Sequence, residues 1–194
     1  MNGNIKEMKD SLRKKILSER SAIDDAERTL SEESIISRFL SLASYRFADT
    51  VLLYYPIKGE VDMLSVATAA IKAGKKVAFP RCDSENFTMT YHIVSSINDM
   101  TQGTYGIPEP SPSLPIYTPT PDKNDLIVVP AVCFDKQGYR IGYGRGYYDR
   151  YLCSFGGTAV GVTFHKLLQS SLPRGRFDRR VDILLTEKGA FATK

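Results

Sequence analysis

The stretch that most constrains the fold of this 194-residue chain is residues 125–134, which is almost continuously apolar. A strand with one face in water alternates apolar and polar residues, whereas a run without alternation is typical of a strand covered on both faces. Residues 157–164 and 181–186 are further candidate strands. The pattern predicts a sheet with helices on both faces.

Residues 50–79 predict a strand, a helix and a second strand in that order. Residues 50–57 are β-branched, aliphatic and aromatic, and this strand stops near Pro56. Asp62 can cap a helix that Gly74 ends, and residues 76–79 form the next strand. Such an alternation is typical of a mostly parallel sheet.

Two helices are predicted before the first strand. Residues 5–17 carry apolar side chains at helical spacing, which indicates an amphipathic helix. Ser21 is a candidate cap for a second helix that should end near Tyr45.

The middle of the chain predicts a strand followed by a crossing loop. Residues 87–94 place Phe87, Met89, Tyr91 and Ile93 on one face at a period of two. Six of the ten prolines lie between positions 108 and 121, which predicts an ordered loop between closely flanking strands.

Composition favours a globular protein with one domain over residues 1–194. Residues 1–20 lack the apolar core of an export signal. Cys82, Cys133 and Cys153 lack metal-ligand spacing, which predicts buried thiols in a reducing, cytoplasmic compartment. A net charge of +4 requires neither nucleic acid nor a membrane as partner.

Basic residues are concentrated in three distant segments. One holds Arg13, Lys14, Lys15 and Arg20, and the others span residues 136–150 and 174–180. If folding gathers these segments, they make an anion-binding site.

Residues 140–149, here called the glycine turn, read RIGYGRGYYD. The alternating glycines can direct backbone amides toward phosphate oxygens, and arginines add positive charge. The spacing matches neither the Walker A pattern nor the dinucleotide-binding pattern. Glycine alternation alone fits a flexible turn with solvated arginines equally well, but arginine on both sides favours a functional site.

This turn resembles the signature R-[IL]-G-x-G-x-G-Y-Y-D of 5-formyltetrahydrofolate cyclo-ligases, also called methenyltetrahydrofolate synthetases. Further matches extend over almost the whole chain in the order of the family. They lie at residues 9–13, 59–62, 79–81, 105–110, 130–135 and 178–182.

The resemblance implies an ATP site, with Arg145 and Arg140 as catalytic residues. Positively charged side chains from distant segments, together with backbone amides that point inward, can neutralise and orient a triphosphate. The implied ATP-binding residues are Lys9, Arg13, Arg140, Ile141, Gly142, Tyr143, Gly144, Arg145, Gly146, Tyr147 and Tyr148.

The resemblance also implies a Mg²⁺ site at Asp149 and Asp178, although Asp178 taken alone would be interpreted as a surface ion-pair member. The implied folate-binding residues are Tyr55, Glu60, Tyr105, Tyr143, Gly144, Arg145, Gly146 and Tyr147. A carboxylate at Glu60 suits the paired donors of a pterin edge. Taken in isolation, Glu60 would be a carboxylate flanking a helix and Tyr55 an aromatic at a strand end.

The implied protein is a monomeric three-layer α/β/α domain, like the phosphosugar isomerase and CoA-transferase group. As an ATP-dependent carbon–nitrogen ligase it would convert 5-formyltetrahydrofolate, with or without a polyglutamate tail, to 5,10-methenyltetrahydrofolate. ATP would phosphorylate the formyl oxygen, and ring closure would release phosphate.

Two alternatives remain at this stage. The chain could be a non-catalytic RNA or nucleotide-binding protein of this fold, or an α/β enzyme acting on another small molecule. His92 and His165 are interpreted as structural, because neither has a partner at a recognisable catalytic or metal-binding spacing.

Overall fold

The computed structural model describes residues 2–119 and 124–193. The chain begins with three helices and has one helix in the first βα unit and one after the glycine turn. The helices are α1 (Asn2–Ser21), α2 (Asp25–Ser41), α3 (Ala43–Arg46), α4 (Leu64–Lys72) and α5 (Tyr147–Leu152).

Eleven strands are present in the described ranges, seven of them in one sheet. In sheet order these seven are β11 (Gly189–Ala192), β10 (Ile183–Thr186), β9 (Thr158–Val162), β6 (Asp125–Val129), β1 (Thr50–Leu52), β2 (Lys76–Asp83) and β3 (Thr88–Val94). The two small hairpins pair β4 (Met100–Gln102) with β5 (Pro108–Pro110), and β7 (Cys133–Phe134) with β8 (Arg140–Ile141).

The main sheet is parallel in its centre and antiparallel at both edges. The pairs from β10 through β9, β6 and β1 to β2 are parallel, while β3 and β11 are antiparallel to their neighbours. Strand β6 is buried at every position. This arrangement confirms the predicted mostly parallel sheet.

The two faces of the sheet bury separate apolar cores, as adjacent residues of β6 illustrate. Val128 belongs to the core that includes Ile16 of α1, Ile35 of α2 and Val66 of α4. Ile127 belongs to the opposite core, against which residues of α5 pack. The helices therefore cover both faces, as expected for a three-layer α/β/α fold.

The chain connectivity makes the region beside β1 a candidate ligand site. In the sheet, β1 lies between β2, which follows it through α4, and β6, which comes much later in the chain. A crevice opens at the carboxyl ends of parallel strands where the strand order changes direction. Glu60 follows β1, and the glycine turn follows β6, so both lie after strands that flank this point.

The predicted strand over residues 125–134 is shorter than expected. Strand β6 ends at Val129 and Pro130 follows, which cannot donate a hydrogen bond to the ladder. The chain then forms the β7–β8 hairpin, and the glycine turn begins with β8. The predicted strand over residues 50–57 is likewise limited to β1.

Both ends predicted for the second helix were wrong. Asp24, not Ser21, caps α2, because its carboxylate accepts the N–H groups of Ala26 and Glu27. Leu42 is extended and separates α2 from α3, so α2 ends at Ser41. Ser and Asp are both favourable helix-capping residues, so the sequence alone did not show whether Ser21 or Asp24 caps α2.

Three smaller expectations also changed. Phe87 precedes β3 in a left-handed conformation, with φ of 52°, and is exposed. The prediction of buried thiols holds for Cys133, while Cys82 is half-buried and Cys153 is exposed. The proline-rich loop contains β5, and its end at residues 120–123 lies outside the described residues.

Within residues 2–119 and 124–193, no helix combines the length and the apolar character that a membrane crossing requires.

Candidate functional site

The glycine turn passes from β8 to α5 through two glycines in the left-handed region. Gly144 has φ of +94° and Gly146 has φ of +71°, a conformation that strains any residue with a Cβ atom. Gly146 is also the residue from which α5 begins. The chain therefore turns sharply here.

Helix α1 lies directly against this turn. The Arg13 Nε–H donates to the Gly142 carbonyl oxygen at 2.8 Å, and Arg13 is also paired with Asp10. A Cβ atom on Gly144 would lie 3.5 Å from Arg13 Nη2. Two segments 129 positions apart are thus in contact, as the predicted ATP site requires.

Arg140 connects the turn to the basic segment at residues 174–180. Its side chain is buried, and it donates to Asp149 Oδ1 at 3.0 Å and to the Arg179 carbonyl oxygen at 2.9 Å. The Arg179 N–H donates to the same Asp149 oxygen at 3.0 Å. Burial lowers the pKa of Arg140 from its ordinary value, and the Asp149 charge opposes this shift.

Asp178 connects the same basic segment to α1. The Lys9 Nζ donates to Asp178 Oδ2 at 2.5 Å, and the Gly175 N–H donates to that oxygen at 2.7 Å. Folding therefore gathers the three basic segments into one region, with Asp149 and Asp178 among them.

Glu60 lies beyond the end of β1 and is only 6% exposed. Its Oε2 accepts the Ile57 N–H at 3.1 Å, while Oε1 has no hydrogen-bond partner among the described residues. Burial raises the pKa of Glu60 to about 7, against the opposing effects of the Ile57 N–H and the Arg20 charge.

Tyr143 connects the glycine turn to Glu60. It lies between Gly142 and Gly144, and its hydroxyl accepts a hydrogen bond from Arg20 Nη2 at 2.7 Å. Its hydroxyl and the Glu60 carboxylate influence each other, and burial raises the pKa of Tyr143 to about 12. The predicted nucleotide turn and the predicted folate carboxylate are therefore neighbours.

Residues 5–187 match the family described as the 5-formyltetrahydrofolate cyclo-ligase family. The chain belongs to this family. It is 28% identical over 153 residues to a Haemophilus influenzae 5-formyltetrahydrofolate cyclo-ligase, covering 76% of this chain and 80% of that protein. The resemblance seen in the sequence is confirmed.

Solved structures agree with this cyclo-ligase family assignment. The NMR structure of Aquifex aeolicus 5,10-methenyltetrahydrofolate synthetase has a TM-score of 0.83 and 37% identity, covering 96% of this chain and 93% of that one. A Mycoplasma pneumoniae 5,10-methenyltetrahydrofolate synthetase has a TM-score of 0.74 at 23% identity, over 92% of this chain and 98% of that one. The second likeness concerns the fold alone.

In this cyclo-ligase family member, the predicted site residues Tyr105, Arg145 and Tyr147 lie on the side of the glycine turn that faces the β2–β3 hairpin. The hydroxyls of Tyr105 and Tyr147 are 3.2 Å apart, and the Tyr147 hydroxyl donates to the Asp83 carbonyl at 3.2 Å. The Arg145 guanidinium lies over the Phe87 ring, 5.6 Å from its centroid. Arg145 thus faces the β2–β3 hairpin and not the Lys9–Asp178 pair.

The remaining predicted residues differ in how they can contribute to the site of this family member. Tyr148 lies beneath Arg140, whose guanidinium carbon is 5.8 Å from the ring centroid. Ile141 is 1% exposed, and its carbonyl accepts the Val132 N–H, so its side chain belongs to the core. Tyr55 is half-buried near Glu60 in the sequence, and no side-chain hydrogen bond is formed by it within the described ranges.

Arg20 was not among the predicted site residues of this chain, although it was noted in a basic segment. It is 2% exposed and contacts Tyr143 directly. A basic residue near a helix end usually lies in solvent, so the sequence contains no signal for this burial.

Gly144→Ala should destabilise the folded cyclo-ligase chain by about 1–2 kcal/mol, because alanine is strained at positive φ. Gly142→Ala is a matched control for stability, since Gly142 lacks positive φ and a Cβ there would have no neighbour within 4 Å. Urea unfolding of both variants measures the difference. Equal stabilities would contradict the conformational argument.

Proposed function

We propose that this chain catalyses the ATP-dependent closure of 5-formyltetrahydrofolate to 5,10-methenyltetrahydrofolate, with release of ADP and phosphate. The observation that carries the proposal is the position of Tyr143. Its backbone neighbour Gly142 contacts Arg13 on the nucleotide side, while its own hydroxyl lies beside Glu60 on the folate side. One turn can therefore hold both substrates next to each other.

The triphosphate is assigned to the region where the basic segments meet. Lys9, Arg13 and Arg140 supply cations from α1 and the glycine turn, and the amides of residues 142–146 can donate to phosphate oxygens. In the described residues Lys9 and Arg140 are paired with Asp178 and Asp149. Phosphate oxygens would compete with these carboxylates for the same donors.

Asp149 and Asp178 would be the protein ligands of the proposed Mg²⁺ ion. Asp149 Oδ1 and Asp178 Oδ2 accept hydrogen bonds, which leaves one oxygen on each carboxylate for other ligands. No cluster of three or more His, Cys, Asp or Glu side chains suited to a metal occurs in the described parts of the chain. Such a site matches Mg²⁺ that is held by one or two carboxylates and substrate phosphates. When bound, the ion would neutralise charge on the phosphates.

The folate is assigned to the Glu60 side. Among the described residues Glu60 Oε1 has no hydrogen-bond partner, so it can accept hydrogen bonds from the amino and imino donors of a pterin. Tyr55, Tyr105 and Tyr147 are proposed to contact the aromatic parts of this substrate. The exposed side chain of Tyr105 and the hydroxyl contact with Tyr147 favour a shared surface.

The reaction needs orientation and charge stabilisation more than a protein nucleophile. The formyl oxygen attacks the γ-phosphorus, ADP leaves, and the formyl carbon becomes an iminium phosphate. The neighbouring arylamine nitrogen then attacks this carbon and loses its proton, and phosphate leaves with the former formyl oxygen. Arg140 and Arg145 would stabilise charge on the transferring phosphoryl group.

Arg13→Gln should raise the KM for ATP about ten-fold and leave the KM for 5-formyltetrahydrofolate nearly unchanged, because one charge-assisted phosphate contact is lost. Lys14→Gln is the matched control, since Lys14 is an exposed neighbour on α1. Steady-state kinetics with each substrate varied in turn provides both constants. Equal effects of the two variants on the KM for ATP would contradict the assignment of α1.

The function is tested by supplying ATP, Mg²⁺ and 5-formyltetrahydrofolate, and by following ADP release together with the near-ultraviolet absorbance of the methenyl product. The proposal expects equal amounts of both products and loss of both on chelation of Mg²⁺. Salt-sensitive RNA binding without folate-dependent ATP consumption would instead support the alternative of a non-catalytic binding protein. We further propose that residues 1–194 act as one monomeric cytoplasmic domain.

A further inference from the structure

Arg20 is a buried cation that the reaction as described above does not use. It is 2% exposed near the end of α1, and its Nη1 and Nη2 donate to the Ala131 carbonyl at 3.0 Å and to the Tyr143 hydroxyl at 2.7 Å. Among the described residues it forms no ion pair within 4.0 Å. Burial of a charge without a close counter-charge destabilises the folded protein. This cost indicates that Arg20 has a role other than stability at this position.

Arg20 and Glu60 line the same small cavity, which has a volume of about 10 Å³. Apolar side chains, among them Val61, Val162 and Phe164, also line it. Arg20 Nε and Glu60 Oε1 are both buried without a hydrogen-bond partner in the described chain. The Arg20 guanidinium therefore keeps one unpaired donor and the Glu60 carboxylate one unpaired acceptor. These two groups of opposite charge border the same cavity.

We propose that Arg20 is the positioning residue of the folate side: it holds the Tyr143 hydroxyl in place and supplies the buried positive charge that keeps Glu60 an acceptor for the substrate. The inference rests on the proposed function, because it assigns the folate to Glu60. Arg20 does not itself contact the reacting atoms. It acts through Tyr143 and Glu60.

The groups around Glu60 make Arg20 the main source of buried positive charge. The titratable groups that influence Glu60, or that Glu60 influences, are Arg20, Tyr54, Lys58, Tyr143 and Tyr148. Three of these are tyrosines, whose pKa values burial raises, so they stay neutral near pH 7. Lys58 is exposed and screened by solvent. Loss of Arg20 should therefore favour the protonated carboxyl form of Glu60.

The test compares Arg20→Met with the wild type from about pH 6 to about pH 9, a range that brackets the raised Glu60 pKa of about 7. Arg20→Met should raise the KM for 5-formyltetrahydrofolate about ten-fold near neutral pH, and the defect should shrink as rising pH ionises Glu60 again. The KM for ATP should stay close to the wild-type value. Arg38→Met is the matched control, because Arg38 is exposed on α2 and bonds the Glu187 carbonyl away from the site.

A folate defect of equal size at every pH would overturn the proposal, since loss of packing alone does not depend on the charge of Glu60. A parallel increase in the KM for ATP would overturn it as well. If Arg20→Met does not fold, Tyr143→Phe replaces it, because this variant removes the hydroxyl that Arg20 holds. An unchanged KM for folate in Tyr143→Phe would then contradict the proposal.

Failure of the proposed function is distinguishable from failure of this inference. A wild-type protein without ring closure would refute the function only. NMR titration of ¹³C-labelled glutamate carboxyls, with Glu60 assigned through Glu60→Gln, needs no activity. An upward shift of the Glu60 midpoint in Arg20→Met supports the positioning by Arg20, and an unchanged midpoint overturns it.

Discussion

Replacement of Arg140 by Ala is expected to reduce turnover about a thousand-fold and to destabilise the protein by about 3–5 kcal/mol. Arg140 is the residue that holds Asp149 and the Arg179 carbonyl together, at 3.0 and 2.9 Å. Its removal leaves Asp149 without its ion-pair partner and withdraws a cation from the proposed phosphoryl position. Turnover is measured from the absorbance of the methenyl product and stability from urea unfolding.

The control for Arg140→Ala is Arg46→Ala, because Arg46 is an exposed arginine in α3. We expect its turnover and stability to match the wild type. If Arg140→Ala folded stably and retained wild-type turnover, the proposed link between the glycine turn and the Asp178 segment would have no catalytic significance.

Replacement of Glu60 by Gln is expected to raise the KM for 5-formyltetrahydrofolate about a hundred-fold, because an ionised acceptor of two pterin donors is lost. The same change should stabilise the folded protein near pH 8 by up to about 3 kcal/mol. A residue required for binding would then be unfavourable for folding.

The sign of this stability effect follows from the direction of the pKa shift. The pKa of Glu60 is raised from an ordinary value of 4.5 to about 7 in the folded protein, chiefly by burial. Between these pH values the folded state retains a proton that the unfolded state has lost, so stability falls as the pH rises through this window. Below it both states are protonated, and the burial of Glu60 imposes no ionisation cost.

The measurement is chemical unfolding of the wild type and Glu60→Gln at several pH values from about 4 to about 8. The difference between the two proteins should be small at the acid end and largest above pH 7. Glu33→Gln, at an exposed position of α2, is the matched control and should follow the wild type. Parallel stability curves for the wild type and Glu60→Gln would contradict the raised pKa of Glu60 in the folded protein.

The arrangement of strands could be predicted from the sequence because it depends on local patterns. The apolar run at residues 125–134 identified the centre of the sheet, and the alternation at residues 50–79 identified a parallel βα unit that the parallel pairing of β1 with β2 confirms. The ends of elements could not be predicted as well. Pro130 ends β6 inside an apolar run, and the choice between Ser21 and Asp24 as a cap depends on where α1 ends.

The contacts of the site depend on long-range packing, which the sequence does not display. The glycine turn and Glu60 could be identified through the family resemblance, but their contact through Tyr143 could not. Burial converts Arg20 from an apparent surface residue into a partner of Tyr143. Arg145 was predicted from the motif alone, and the structure places its guanidinium over Phe87. Its catalytic role stays a prediction.

The most direct test of the proposed chemistry follows one oxygen atom. 5-Formyltetrahydrofolate labelled with ¹⁸O in the formyl group is converted with unlabelled ATP, and the released phosphate is analysed by mass spectrometry. If this chain transfers the γ-phosphoryl group to the formyl oxygen, each phosphate released during ring closure carries the label. Methenyl product that accumulates with unlabelled phosphate would contradict the account, because the formyl oxygen would then have left by another route.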